Sequence, residues 1–426
     1  MDLLLKDAEI ISPGEDLYKT ADILISNGII QKIGKVTRFK NDTKQINCKK
    51  KTIVPGLYDM HVHLRDPGQT HKEDLKSGSE AAANGGFTGV MCMPNTAPPL
   101  DSPLIVRDLL SRTKENIVNI DIAACATSGR KGEKLSPILS LYEAGAIAFT
   151  DDGSPIANSE LMRRVLEYTS QIDSVVIQHC EDMDLSNKGV MNEGFISTVT
   201  GLGGIPEVSE TVIIARDILL TKYVNNSRYH IQHISCGKSV ELLRKAKEEN
   251  INVTGEVCPH HFILTDKECS NYDTNAKMNP PLRTTDDVKS ILDGLKDDTI
   301  EVICTDHAPH TEYEKNQGFN DSPFGIIGLE TAVGLAFTYL VKTGVISFEQ
   351  LIMKLSVNPR KILRLKEVKI AEGEAANITV LDRNAKWKID PSKFRSKSRN
   401  TPFKDFEVQC KPYFVINNDQ IFFSKL

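Results

Sequence analysis

Over the first fifty positions polar and apolar residues alternate, as in Asp22-Ile23-Leu24-Ile25-Ser26 and Ile29-Ile30-Gln31-Lys32-Ile33, with Asn27-Gly28 between the two runs. A period of two marks strands, and Asn-Gly favours a tight hairpin, so a small antiparallel sheet is expected here. From Leu57 onward the texture changes to short unbroken apolar runs separated by longer amphipathic or Ala-rich segments. That is the pattern of parallel strands covered on both faces by helices. Eight such runs can be counted, at 57–62, 87–93, 118–124, 146–150, 174–179, 229–234, 252–257 and 301–305. Helical connectors are predicted at 75–84, 160–168, 210–220, 238–249 and 288–295. The Ala81-Ala82-Ala83-Asn84-Gly85-Gly86 stretch is good helix material closed by glycines.

Beyond the eighth run, 328–343 reads as an apolar helix, and 348–355 keeps the helical texture up to Asn358-Pro359. Alternation then returns after Glu372-Gly373, in 376–382, 413–416 and 420–423. A small isolated sheet has little stability of its own, so the two strand-rich ends are expected to join in one composite unit. The expected fold is α/β: a (β/α)8 TIM barrel with a small composite β-sandwich domain built from both chain ends. The division is 1–54 and 369–426 for the small domain and 55–368 for the barrel. The run 312–325 has few apolar residues before Pro323-Phe324-Gly325 and reads as a long loop over the barrel mouth, where such loops are often functional.

At 426 residues the chain can form one barrel plus a smaller domain. A formal charge of -5, from 52 basic and 57 acidic residues, gives no long-range field favouring nucleic acid or an anionic membrane. The basic run 393–399 reads as a solvated face. Nine cysteines, none in a Cys-x-x-Cys pair and several inside predicted strands, read as small core residues in a reducing compartment. The N-terminus lacks the charged start and long apolar core of a signal peptide, and the apolar run 332–341 is too short to span a bilayer. A cytoplasmic protein with no membrane partner is expected. There is no internal repeat and no low-complexity segment.

The chemistry gathers at strand ends. His61 and His63 lie two residues apart in the first strand, which turns both imidazoles to one face. Asp151-Asp152, His179, His233 and Asp306 close the fourth, fifth, sixth and eighth runs. Ligands scattered over strand ends suit a metal site at the mouth of a barrel enzyme. Only one of Asp151 and Asp152 should point inward, and alternation alone does not choose between them. His233 at its strand's end is preferred to His230, which opens the strand, while His260, His261 and His307 stand open as further ligands or supports. Six ligands exceed what one tetrahedral ion needs, so two ions bridged by a hydroxide would use them all. Imidazole and oxygen donors without thiolate suit Zn²⁺ and admit Mn²⁺ or Co²⁺.

The segments His61-Val62-His63-Leu64-Arg65-Asp66-Pro67-Gly68, Met93-Pro94-Asn95-Thr96, Asp151-Asp152-Gly153, Asn279-Pro280-Pro281-Leu282-Arg283 and Asp306-His307-Ala308-Pro309-His310 resemble class I dihydroorotase, of the amidohydrolase superfamily. The likeness runs in order from the hairpin at Asp22 to at least Pro359. It implies a zinc centre in which His61, His63 and Asp306 hold one ion, His179 and His233 hold the other, and Asp152 bridges them, with one or two ions per chain. The implied activity is the interconversion of N-carbamoyl-L-aspartate and L-dihydroorotate in pyrimidine biosynthesis, with Asp306 as general acid/base.

Both of those ligands carry a carboxylate, and the planar fork of Arg65 suits bidentate recognition of one. The resemblance adds Asn95 and His310 to this clamp, sets Asn279 on the ring, and has Pro323, Phe324 and Gly325 touch substrate through backbone amides. A homodimer is expected, and association with aspartate transcarbamoylase is left open. Hydantoinases, dihydropyrimidinases and allantoinases are the nearest rivals, but their bridging carbamylated lysine is replaced here by Asp151-Asp152. A non-catalytic scaffold for aspartate transcarbamoylase is a different class of answer, and the presence of all six ligands argues against it. One departure from the family pattern is the glycine-poor tail 401–426, above all 404–410, which puts its strand register in doubt.

Overall fold

The computed structural model describes residues 2–426. Five strands come first: Asp2–Ser12 (β1), Leu17–Ser26 (β2), Ile29–Gly34 (β3), Lys44–Asn47 (β4) and Thr52–Pro55 (β5). β2 and β3 form the expected hairpin, and Asn27 (φ 50°) and Gly28 (φ 71°) supply the two positive-φ positions of its turn. The sheet is not purely antiparallel, however. β4 runs parallel to Leu3–Lys6 of β1, and β5 runs parallel to Glu9 and Ile10. The reason lies in β1, where Asp7 (φ 56°) marks an irregularity between Leu5 and Ala8 that divides the strand into two halves, each with its own parallel partner.

The barrel strands follow in chain order as Leu57–Val62 (β6), Phe87–Cys92 (β7), Asn119–Ala124 (β8), Ala148–Phe149 (β9) and Val175–Gln178 (β10). A short excursion then pairs Met191–Asn192 (β11) with Gly204–Ile205 (β12), before Tyr229–Ile231 (β13), Val253–Val257 (β14) and Val302–Ile303 (β15) complete the set. Each barrel strand pairs with its neighbour in parallel. A bridge between Val62 and His307, with the His63 amide donating to the His307 carbonyl at 2.9 Å, returns the eighth strand to the first. Tyr58, Met60, Met91, Ala123, Ala148, Val175, Ile177 and Val302 pack inside the ring. The interior is therefore a filled core, and chemistry is left to the rim.

Helices Leu75–Asn84, Pro103–Arg112, Ile138–Glu143, Ser159–Ser170, Glu207–Tyr223, Gly237–Glu248 and Thr285–Lys296 connect successive barrel strands. Two of these went unread in the sequence. Pro103 looks like a breaker but occupies the first helical turn, where its missing N–H costs nothing, and Ile138–Glu143 is too short to display a period. The last two helical runs each include a wide π-type turn, at Phe337–Val341 and at Met353–Val357, and the second continues through Pro359 to Ile362.

Three strands close the chain: Ile378–Lys388 (β16), Glu407–Asn417 (β17) and Gln420–Phe423 (β18). β16 pairs antiparallel with β5, which makes one hydrogen-bonded sheet of both chain ends, and residues from both ends share one apolar cluster. The glycine-poor tail folds with Asp405 (φ 70°) and Cys410 (φ 73°) in the left-handed conformation. All nine cysteines are buried and free. No helix among the described residues is long and apolar enough to cross a membrane.

Candidate active site and metal centre

The strand ends bring His61, His63, Asp152, His179, His233 and Asp306 together at the C-terminal rim. His63 Nε2 lies 2.8 Å from Asp306 Oδ1 and 3.6 Å from Asp152 Oδ2. His61 Nε2 lies 3.5 Å from Asp152 Oδ1 and 3.4 Å from Asp306 Oδ1. His179 Nδ1 is 3.0 Å from His233 Nε2, which in turn sits 4.0 Å from Asp152 Oδ1. Asp152 thus reaches both halves of the cluster, and so does His233, which groups with His61 and Asp306 as well as with His179. Asp151, next to Asp152 in the chain, turns away to accept from the Thr127 amide and hydroxyl.

Three triads of donor atoms, His61/His63/Asp152, His61/His233/Asp306 and Asp152/His179/His233, each fit within 4.8 Å. Imidazoles crowded together at hydrogen-bond distance, and a buried His233 Nδ1 without a partner, are hard to satisfy by protons alone. The donor set fits divalent cations that accept nitrogen and oxygen.

Electrostatics agree with a cation-seeking cluster. Burial opposes ionisation of Asp152 and Asp306, yet the neighbouring imidazoles outweigh it and hold both carboxyls below the ordinary range. Burial likewise opposes charging of His61, but the Glu256 and Asp306 carboxylates raise it. His233 goes the other way, pulled down to about 3 by burial and by His179 and His61 beside it.

A second ring of groups orients these side chains. Glu256 Oε1 meets His61 Nδ1 at 2.6 Å, Asn95 Oδ1 meets His63 Nδ1 at 2.8 Å, and Glu181 Oε2 meets His179 Nε2 at 2.9 Å. Each contact leaves the other ring nitrogen facing the cluster, as carboxylate and amide partners of metal-binding histidines do. Glu256 and Glu181 were missed in the sequence. The available signal was a glutamate within the apolar strand β14, and one two residues after His179.

His230 is buried behind Glu256, 3.3 Å from its Oε2, in a structural position. His307 lies against Glu73 and accepts from the Gly328 amide. His260 and His261 form a separate buried group with Cys258.

A cavity of about 230 Å³ opens over the cluster, lined by Arg65, Asn95, Asn279, His310, Phe324 and Gly325 among others. Arg65 donates to the Pro309 carbonyl at 3.2 Å and lies 3.4 Å from His310 Nε2. Burial and the Arg65 charge push His310 down to about 2, so this imidazole is neutral. Asn279 donates to Glu181 at 2.8 Å. Asn95 lines the cavity too, but its amide bridges His63 and Asp152, to which it donates at 3.1 Å. Pro323 presents its carbonyl to Lys315 and is not part of the cavity lining.

A parallel barrel with histidines and aspartates converging at its C-terminal mouth defines a metal-dependent hydrolase of the amidohydrolase class. The family model described as "Dihydro-orotase-like" matches residues 50–239. A dihydroorotase of Acetivibrio thermocellus is 46% identical over 98% of this chain and 98% of its own length, and one of Geobacter metallireducens is 44% identical over the full length of both. The chain belongs to the dihydroorotase family. Among solved structures, an L-hydantoinase from Arthrobacter aurescens superposes with a TM-score of 0.88 at 23% identity, covering 100% of this chain and 96% of its own, and bears out the fold.

Proposed function

We propose that the chain is a dihydroorotase, reversibly cyclising N-carbamoyl-L-aspartate to L-dihydroorotate with a divalent metal, zinc by preference, in a binuclear centre. His61, His63 and Asp306 would hold one ion, His179 and His233 the other, and Asp152 both. When bound, the metal supplies Lewis acidity and activates water near neutral pH. The carrying observation is the convergence of these six side chains beside a buried arginine at the mouth of one cavity.

In this reading Arg65 pairs with the substrate carboxylate, and neutral His310 beside it adds a hydrogen bond without adding charge. Asn279, aligned by Glu181, contacts the ring, and Asn95 completes the clamp while orienting His63. Phe324 and Gly325 form the facing wall, with Pro323 anchored behind it through its carbonyl to Lys315. As a water adds to the ring carbonyl, Asp306 takes that water's proton on its carboxylate and passes it to the nitrogen as the C–N bond breaks; cyclisation reverses the transfer and releases the water. No lysine is among the residues lining the cavity, and a cationic clamp favours a carboxylated ring over a neutral hydantoin.

The reading also carries the division 1–54, 55–368 and 369–426, a homodimer, a cytoplasmic location, and aspartate transcarbamoylase as a further partner. The decisive test is a spectrophotometric assay with both substrates, beside hydantoin, dihydrouracil and allantoin, on protein of measured zinc content. Turnover confined to L-dihydroorotate and N-carbamoyl-L-aspartate, lost on chelation, supports the proposal. Turnover of hydantoin alone defeats it. Sedimentation and co-purification test the two assemblies.

A further inference from the structure

The segment following helix Glu312–Lys315 carries Phe324 and Gly325 to the cavity, and two lysines are buried beneath it. Lys277, 2% exposed, donates to the carbonyls of Phe319 (2.7 Å), Asn320 (2.9 Å) and Ser322 (2.7 Å), which uses all three ammonium protons. Lys315, 4% exposed, donates to the carbonyls of Pro323 (2.9 Å) and Gly325 (3.2 Å). Five carbonyls within seven consecutive residues are therefore tied to two amines. The rings of Phe319 and Phe324 flank the Lys277 amine at 5.8 and 4.7 Å. The Lys277 carbonyl also accepts from the Gly325 amide at 3.0 Å, so this residue grips the segment from both its ends.

A rim loop could satisfy its carbonyls with water. Burying an ammonium to do so is costly unless its protons are matched; Lys277 matches three with carbonyls and Lys315 two, and burial pulls Lys277 down to about 8, and Lys315 to about 7 with help from the Lys277 charge. Such matching fixes one backbone shape, and that shape faces substrate.

We infer that Lys277 and Lys315 are positioning residues that hold 319–325 as a prebuilt wall of the substrate pocket, in place before substrate arrives. The inference rests on the proposed function for what the wall contacts, but the state of the wall can be measured without turnover.

The test uses hydrogen exchange on the full-length, metal-loaded protein, with steady-state kinetics on Lys277→Met and Lys315→Met. In the wild type, amides of 319–325 are expected to be protected without ligand and to change less than about twofold on saturation with L-dihydroorotate, whereas a closing lid would gain strong protection. In the variants, exchange in this segment alone should rise at least about tenfold. KM should rise by about tenfold as the competent fraction falls to roughly one in ten, with metal content unchanged and kcat less affected.

Unprotected amides in the ligand-free wild type would overturn the inference. So would unchanged segment exchange in the variants, a uniform loss of protection along the chain, or a loosened segment with unaltered KM. If neither variant folds, the wild-type exchange experiment decides alone. If the protein turns over neither substrate, the functional reading fails, while ligand-free exchange still reports whether the lysines fix the wall.

Discussion

At the scale of single residues, what a histidine does is decided by the nitrogen that faces away from the site. His61 can aim Nε2 at Asp152 and Asp306 because Nδ1 is engaged by Glu256, itself buried and completely shielded from water. Glu256→Gln keeps the shape and an acceptor but removes the charge that strengthens the imidazole as a ligand. Metal affinity should fall roughly 10- to 100-fold, read by competition with a chromogenic chelator; unchanged affinity would show that Glu256 serves only packing. Asp306→Asn separates binding from proton transfer. In protein reloaded with metal, kcat is expected to drop by about 10² to 10⁴, and near-normal kcat would remove Asp306 from its proposed role. The direct ligand candidates were legible in the sequence because each closes an apolar run, a position that strand geometry translates into a place on the rim. Glu256 and the two pocket lysines were not, since their partners lie between 8 and 195 residues away and no local period marks them, while Glu181, only two residues from His179, lies beyond the apolar run rather than closing it.

At the scale of elements, the runs of apolar residues marked all eight barrel strands, while Pro103 masked one helix, Ile138–Glu143 was too short to show a period, and the parallel pairing of β4 and β5 leaves no local periodic signal. Arg65 (φ 58°), His233 (φ 29°) and Asp306 (φ 47°) share another feature invisible in sequence, left-handed backbone just beyond a strand. Such conformations persist only where surrounding contacts impose them, and they gather at functional sites.

The handover between sheets is equally demanding. Gly56, between β5 and β6, gives its amide to the Asn377 carbonyl, and an added Cβ would come within 1.8 Å of Asn377 Oδ1 and 2.1 Å of Thr88 Oγ1. Gly56→Ala should lower stability by about 1–3 kcal/mol, visible as a lower urea midpoint; an unchanged midpoint would mean the junction yields freely.

A tie between helix Glu207–Tyr223 and β13 weakens as pH rises. Asp217 accepts from the Tyr229 hydroxyl at 2.9 Å, and burial, opposed by Arg216, raises its carboxyl to about 6. A folded pKa above the unfolded one means that the native state holds the extra proton. This contribution to stability is full below about 4 and is lost as pH rises through about 6. Asp217→Asn cannot lose that proton, so its Tm relative to wild type should climb across this window. A constant difference would refute the assignment.

At the scale of the whole molecule, the chain ends are not accessories to the barrel. β17 lies between β16 and β18, and its Asn417 side chain donates to the carbonyls of Thr88 (3.1 Å) and Ile117 (2.7 Å), at the start of β7 and before β8. That clamps the sheet to the end of the barrel opposite the mouth. The connector ahead of β17 reaches the other end. Ser396 and Ser398 turn inward to Glu73 and to the Lys72 carbonyl, while Lys393, Lys397 and Arg399 remain exposed, so the basic run is half solvated face and half structural strap. Asn400 then donates to the carbonyls of Ala308 (3.0 Å) and Gly325 (3.2 Å) beside the pocket wall.

One tail therefore braces both faces of the barrel, and its two halves can be tested apart. A chain ending at Asn400 keeps the strap but loses β17 and β18, which bares the β16 edge and strips Phe414 and Ile416 from the apolar cluster shared by both ends. Burial of each such side chain contributes roughly 1.5–3 kcal/mol, so losing several exceeds the margin of an ordinary fold. The truncated chain is expected to aggregate or to lose its cooperative thermal transition, even though every proposed catalytic residue is present. A soluble protein melting within about 3 °C of the full chain would show instead that the barrel folds independently and that the strap alone secures the site.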